Sequence, residues 1–136
     1  MATSFLGFRG RGDWVFDSLA EFWFGILVKR QVFQESDEQW VKDFVKEVNN
    51  ALEAKWIMGV VTCALDKYLT DDQRIAFMAG ESVALNKELR RLAEKTDWLK
   101  YDGAEVSSEY LVKQLDLIDN LFLDPEKVPL DPTKQN

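Results

Sequence analysis

Two pairs of identical carboxylates in this chain, one E-x-x-E and one D-x-x-D, have the spacing that puts both members on one face of a helix: Glu35 with Glu38, and Asp116 with Asp119. Set on facing helices, such pairs can hold a magnesium ion through hard oxygen ligands. A third pair, Asp17 and Glu21, lies one turn apart inside the most apolar stretch of the chain. Buried there, the two would need cationic partners such as Arg9 or Arg11, or shifted pKa values of the kind that mark a site. The plainer expectation is that their side of the helix is solvated. What is missing narrows the chemistry further. There is no histidine, which removes Ser-His and Cys-His nucleophile systems, imidazole acid-base catalysis and nearly every transition-metal site. With one cysteine, Cys63, thiolate zinc sites and internal disulfides go too, and its apolar run VVTCAL suits a small core residue in a reducing compartment. Neither a G-x-x-x-x-G-K-[ST] loop nor a G-x-G-x-x-G turn occurs; the nearest approach, GFRGRG, spaces its glycines differently.

The E-x-x-E and D-x-x-D pairs are similar to the magnesium motifs of all-α nucleotide pyrophosphohydrolases, and that resemblance implies hydrolysis of nucleoside triphosphates as an alternative function. Glu35 and Glu38 also fall at an expected helix start, where acids complement the helix dipole whatever the function. The main expectation is a non-enzyme with no catalytic residue, no metal ligand and no cofactor.

The elements that would position these groups are read as helices throughout. The pattern predicts an all-α fold, a single-domain bundle of about five helices over residues 1–124, with a loosely held tail over 125–136 where Pro125, Pro129 and Pro132 forbid helix. Its centre is the stretch 13–33, in which Val15, Leu19, Phe22, Trp23 and Ile26 share one sector and Phe16, Ala20 and Leu27 widen it. Asp17 and Glu21 argue against a membrane span there, each costing about 2.5 to 3.5 kcal/mol at mid-bilayer. The glycine-rich residues 1–12 read as an irregular lead-in, and Arg11-Gly12-Asp13, the integrin-binding triplet, reads as a turn in which Asp13 caps the first helix. Ser36 with Gln39 and Thr70 with Gln73 are capping-box signatures. The first opens a helix on Trp40, Val41, Phe44, Val45 and Val48; the second opens a long one on Ile75, Met78, Ser82, Leu85, Leu89 and Leu92. Between them, residues 49–69 form one helix or two pieces, with a strand around Val60 to Thr62 as runner-up. Asp102-Gly103 supplies a turn, and Ser107 or Ser108 caps a last helix whose inner face is Leu111, Leu115, Ile118 and Phe122. The five tryptophans, Trp14, Trp23, Trp40, Trp56 and Trp98, are expected mostly in the core.

Charge decides the class of partner. The chain carries a net charge of −7, and its distribution is uneven: residues 97–126 hold 8 acids and 2 bases, net −6, against 15 acids and 13 bases in residues 1–96, net −2. Nucleic acid is excluded as a ligand, since neutralising phosphates needs clustered Lys and Arg. A concentrated negative surface instead steers basic protein partners. No basic n-region followed by an apolar run opens the chain, so no secretory signal is expected, the address is expected to be cytoplasmic, and no membrane is expected as a partner.

In size, acidity and lack of catalytic groups, and in the stretch FRGRGDWVFDSLAEFW, the chain resembles bacterial toxin-immunity proteins, including those of contact-dependent growth inhibition systems. The resemblance implies a partner, a cognate protein toxin with a basic nuclease domain, bound one to one, its active site covered or plugged. No site residue carries over from it. On the charge reading, the contact residues would be Asp97, Asp102, Glu105, Glu109, Asp116 and Asp119, with Trp98 or Tyr101 as aromatic anchor. A structural or adaptor subunit, forming a persistent oligomer, is the remaining class; the sequence does not state the oligomeric state.

Overall fold

The glycines near the N-terminus build strands. In the computed structural model, which describes residues 2–54 and 60–131 but not the side chains of residues 60–63, β1 (Thr3–Phe8) and β2 (Arg11–Phe16) form an antiparallel hairpin. A second hairpin, β3 (Trp98–Tyr101) and β4 (Ala104–Ser107), precedes the last helix. With α1 (Asp17–Lys29), α2 (Gln31–Gln34), α3 (Gln39–Glu53), α4 (Val60–Tyr68), α5 (Asp72–Ala93) and α6 (Ser108–Leu123), the described residues hold six α-helices and two two-stranded sheets. The fold is therefore mixed α/β, and the all-α expectation is overturned by the two hairpins.

Both hairpins use the same device. Arg9 and Gly10 have φ of 53° and 80°, and Asp102 and Gly103 have φ of 48° and 86°. Two successive residues with positive φ make the tight turn whose twist matches that of the flanking strands, and glycine in second place avoids a Cβ clash. Gly12 serves a different end. It pairs with Gly7 across the hairpin, and a Cβ there would lie 2.2 Å from the Leu6 carbonyl oxygen. The Arg11-Gly12-Asp13 triplet thus lies within strand β2 rather than at a loop tip, and Asp13 accepts from the Trp14 amide instead of capping a helix.

Helix α1 consequently starts at Asp17, four residues later than the apolar pattern suggests, and ends at Lys29, after which the extended backbone of Arg30 separates it from α2. Leu19, Phe22, Trp23, Phe24, Leu27 and Val28 are all buried, and each contributes roughly 1.5 to 3 kcal/mol of apolar burial. Around α1 pack both hairpins, α3 and α5. The α3 helix runs through Asn49 and Asn50 to Glu53, held by Trp40, Val41, Phe44, Val48 and Ala51 on its inner face. Residues 60–68 are helical, so the strand alternative there is set aside; residues 55–59, and with them Trp56 and the question of one helix or two, lie outside the described residues, as does the Cys63 side chain. The cap of α5 is Asp71, whose carboxylate accepts from the Arg74 amide, one residue beyond the expected Thr70; Ser36 accepts from the Glu38 amide just ahead of α3.

The segment expected as a loose tail begins with a 3-10 turn at Pro125–Lys127 and then runs beside β2. The Gly12 amide donates to the Pro129 carbonyl (2.9 Å), the Asp131 amide to the Gly10 carbonyl (2.8 Å), and the Arg11 guanidinium to the Val128 carbonyl (3.0 Å), with Val128 itself buried. Residues 132–136 lie outside the described residues.

Candidate functional site

Two exposed tryptophans break the rule that such rings are buried: Trp14 on β2 is 54% exposed and Trp98 on β3 is 56% exposed, whereas Trp23 and Trp40 are core. Trp98 opens β3, and strand alternation decides where it faces. Trp98 and Lys100 point outward with their cross-strand partners Ser107 and Glu105, while Leu99 and Tyr101 point toward α1. The platform beneath Trp98 is tightly tied. The Thr96 hydroxyl donates to the Trp98 carbonyl (3.1 Å), the Ser108 hydroxyl to the Thr96 carbonyl (2.6 Å), and the Ser108 amide to the Asp97 carbonyl (2.9 Å). Ser107 in turn caps α6, accepting from the Tyr110 amide at 3.2 Å. A four-residue linker from α5 is thereby locked onto the start of α6.

Between the end of α5, this linker and the first turns of α6 lies an open groove of about 780 Å³. Its lining is mixed, with apolar residues Ala93, Val112 and Trp98 and charged residues Glu94, Asp97, Glu109, Arg90 and Lys113. Val112 is itself exposed, an apolar residue outside the buried stripe of α6. The cations are already engaged: Arg90 with Asp116 (2.8 Å) and Asp119 (3.5 Å), and Lys113 with Glu109 (3.6 Å).

Of the eight docking residues expected from sequence, the groove gathers Asp97, Trp98 and Glu109. Glu105 shares the outer face of the hairpin with Trp98 and pairs with Lys100 at 3.8 Å. Asp102 is exposed at the hairpin turn. Tyr101 is turned away, its ring lying where a Cβ on Gly25 of α1 would meet it at 3.5 Å. Asp116 is exposed but held by Arg90. Asp119 belongs to the interior: its carboxylate, 15% exposed, accepts from the Asn86 amide (2.7 Å) and the Ser82 hydroxyl (3.1 Å), and Asn86 accepts from the Trp23 indole at 2.6 Å. That network ties α1, α5 and α6 together. Sequence reasoning missed Ala93, Glu94 and Val112; the signal that could have found the last is an apolar residue on the polar face of α6, between Glu109 and Asp116.

The other carboxylate pairs resolve into local roles. The Ser4 hydroxyl donates to Asp17, and half-buried Glu21 lines a smaller cavity of about 280 Å³ with Gly25, Lys29, Glu53, Tyr101 and Asp102. Neither acid is matched with Arg9, which lies over the Phe8 ring, or with Arg11. Glu35 ends α2 and Glu38 precedes α3, so the E-x-x-E motif spans a turn between helices instead of one helix face. Among the described residues, no three of the Asp, Glu, His and Cys side chains gather closely enough to hold a metal ion.

Glu47, Lys67 and Tyr68 form the one cluster with clear titration shifts among the described residues. Hydrogen bonds from Lys67 and Tyr68 hold the Glu47 carboxyl below the usual range; the bond to Glu47 raises Lys67; burial, then that same carboxylate, raises Tyr68. It joins α3 to the end of α4, away from the groove.

Among the described residues, no helix is long and apolar enough to cross a membrane. Comparison with protein-family models, with curated proteins and with solved structures finds no match for the chain.

Proposed function

We propose that this chain is a protein inhibitor of the immunity type, which binds a cognate toxin domain through the acidic surface around the β3–β4 hairpin and the start of α6. The observation that carries the reading is Trp98, an exposed aromatic residue whose backbone is held by hydrogen bonds, beside Asp97, Glu94 and Glu109. A large aromatic side chain with only two torsions, mounted on a backbone tied in place, loses little entropy on docking, which is what a binding hot spot requires. Carboxylates around it attract a basic partner and accelerate encounter. A toxin domain that grips phosphates must itself be basic, and carboxylates can occupy the positions phosphates would take. Asp97, Trp98, Glu105 and Glu109 are the contact residues in this reading; Asp102 and Asp116 add to the field, Tyr101 supports the hairpin and Asp119 supports the fold.

The test is direct. The purified chain is mixed with the toxin domain encoded by the gene immediately upstream, and cells expressing that domain are grown with and without it. A one-to-one complex and restored growth are expected. No complex at micromolar concentrations together with no protection refutes the proposal.

A further inference from the structure

We infer that the groove beside Trp98 receives a basic amphipathic segment of the partner: an apolar side chain seated on Ala93, Val112 and the Trp98 ring, flanked by Lys or Arg side chains that meet Glu94 and Asp97. The inference rests on the inhibitor reading above and says which chemistry its contact segment has. The apolar residues in the lining, Ala93, Val112 and Trp98, ask for an apolar group, and about 780 Å³ accommodates more than one side chain. The charge asks for flanking cations. Arg90 is engaged by Asp116 and Asp119, and Lys113 by Glu109, while among the described residues Glu94 and Asp97 have no ion pair. Groove and immediate partners together present five carboxylates against two cations, so an acidic or phosphate-bearing occupant is repelled and a cationic one is drawn in. Trp14 provides the internal contrast. It is equally exposed, but its ring makes an edge contact with its cross-strand neighbour Phe5 in the β1–β2 hairpin, and it does not line this groove.

Two synthetic helical peptides serve as probes, one of Lys and Leu with the leucines on one face, the other with Glu in place of every Lys. Titration calorimetry reads their affinity for the wild-type chain and for the Trp98→Ala, Glu94→Lys/Asp97→Lys and Trp14→Ala variants. The Lys-Leu peptide is expected to bind, and the Glu-Leu peptide to bind at least about tenfold more weakly. Trp98→Ala and the double reversal should each weaken the Lys-Leu peptide by about tenfold or more, the range of an interface anchor, and Trp14→Ala by less than about twofold. Equal affinity for the two peptides overturns the inference, as does a Trp98→Ala variant that binds like wild type. Because Trp98, Glu94 and Asp97 are exposed, unchanged thermal melts are expected to establish that the variants fold. The same variants are then tested on the toxin domain. Full affinity of Trp98→Ala for a toxin that wild type binds overturns the groove assignment and leaves the inhibitor function standing. Peptide results as expected, with no toxin bound by wild type, refute the function and leave the groove's preference for cationic amphipathic segments intact.

Discussion

Replacing Asp119 by alanine separates a structural acid from a docking one. Its carboxylate accepts from Asn86 at 2.7 Å and from Ser82 at 3.1 Å, and both of those residues are fully buried. Hydrogen bonds to a charged group contribute about 1.5 to 3 kcal/mol each. Two offsets reduce the sum: Asn86 keeps long contacts to the Leu115 carbonyl (3.4 Å) and the Ser82 hydroxyl (3.5 Å), and the 15% exposure of Asp119 lets water reach the vacated place. The expected destabilisation is about 2 to 3 kcal/mol, or a melting temperature lower by roughly 10 °C for a chain of this size. Asp119→Asn, which keeps an acceptor oxygen and loses the charge, should cost about 1 kcal/mol. Asp97→Ala, at an exposed residue, should stay within about 0.5 kcal/mol of wild type. Urea unfolding followed by tryptophan fluorescence measures all three, with the slope unchanged if the two end states are the same. An Asp119→Ala variant that melts within about 2 °C of wild type would refute the reasoning, because the Trp23–Asn86–Asp119 chain would then not be holding α1, α5 and α6 together.

Further outcomes follow from the same geometry. Gly80, exposed in α5 with open space around its Cα, should gain about 0.5 to 1 kcal/mol on mutation to alanine, whereas Gly12→Ala, whose methyl meets the Leu6 carbonyl, should lose about 1 to 3 kcal/mol; thermal melts give both signs. Ending the chain at Asp124 removes buried Val128 and leaves the Gly12 amide without its acceptor, so melting should fall by at least about 5 °C and amide exchange at Gly12 should accelerate. For Glu47, whose folded-state pKa is depressed, the stabilising contribution is complete above the ordinary carboxylate value and is lost as pH falls through the lower folded value. Wild type should therefore exceed Glu47→Gln by a small margin, on the order of 0.5 kcal/mol, at neutral pH and by nothing in strong acid; a margin that grows on acidification contradicts the assigned partners. Lys67, whose folded value is raised, acts on the other side: its contribution is whole below the ordinary lysine value and fades as pH climbs through the raised one, as a pH series of melts on Lys67→Met reads out.

Periodicity made the buried faces legible. Leu19, Phe22 and Trp23, then Trp40, Phe44 and Val48, then Met78, Leu85 and Leu89, and finally Leu111, Leu115 and Ile118 are core in the fold as in the pattern, because apolar residues at helical spacing can be hidden along one side only. Composition alone excluded imidazole chemistry and zinc sites built from several thiolates, and the crowding of acids after residue 96 is a property of the sequence. The hairpins were legible in principle: Arg9-Gly10 and Asp102-Gly103 are turn dipeptides between short runs, but four to six residues carry too little alternation to outweigh neighbouring helix signals. Which carboxylate does what was not legible at all. Asp97, Asp116 and Asp119 look alike in one dimension; one borders a groove, one is clamped by Arg90, and one accepts a hydrogen bond from a buried Asn86 thirty-three positions away. Trp98 and Tyr101 likewise differ only once a strand places them on opposite faces. Local spacing determines which residues can share a face, whereas the role of a charged or aromatic side chain depends on what another part of the chain brings against it, and only the tertiary structure decides that.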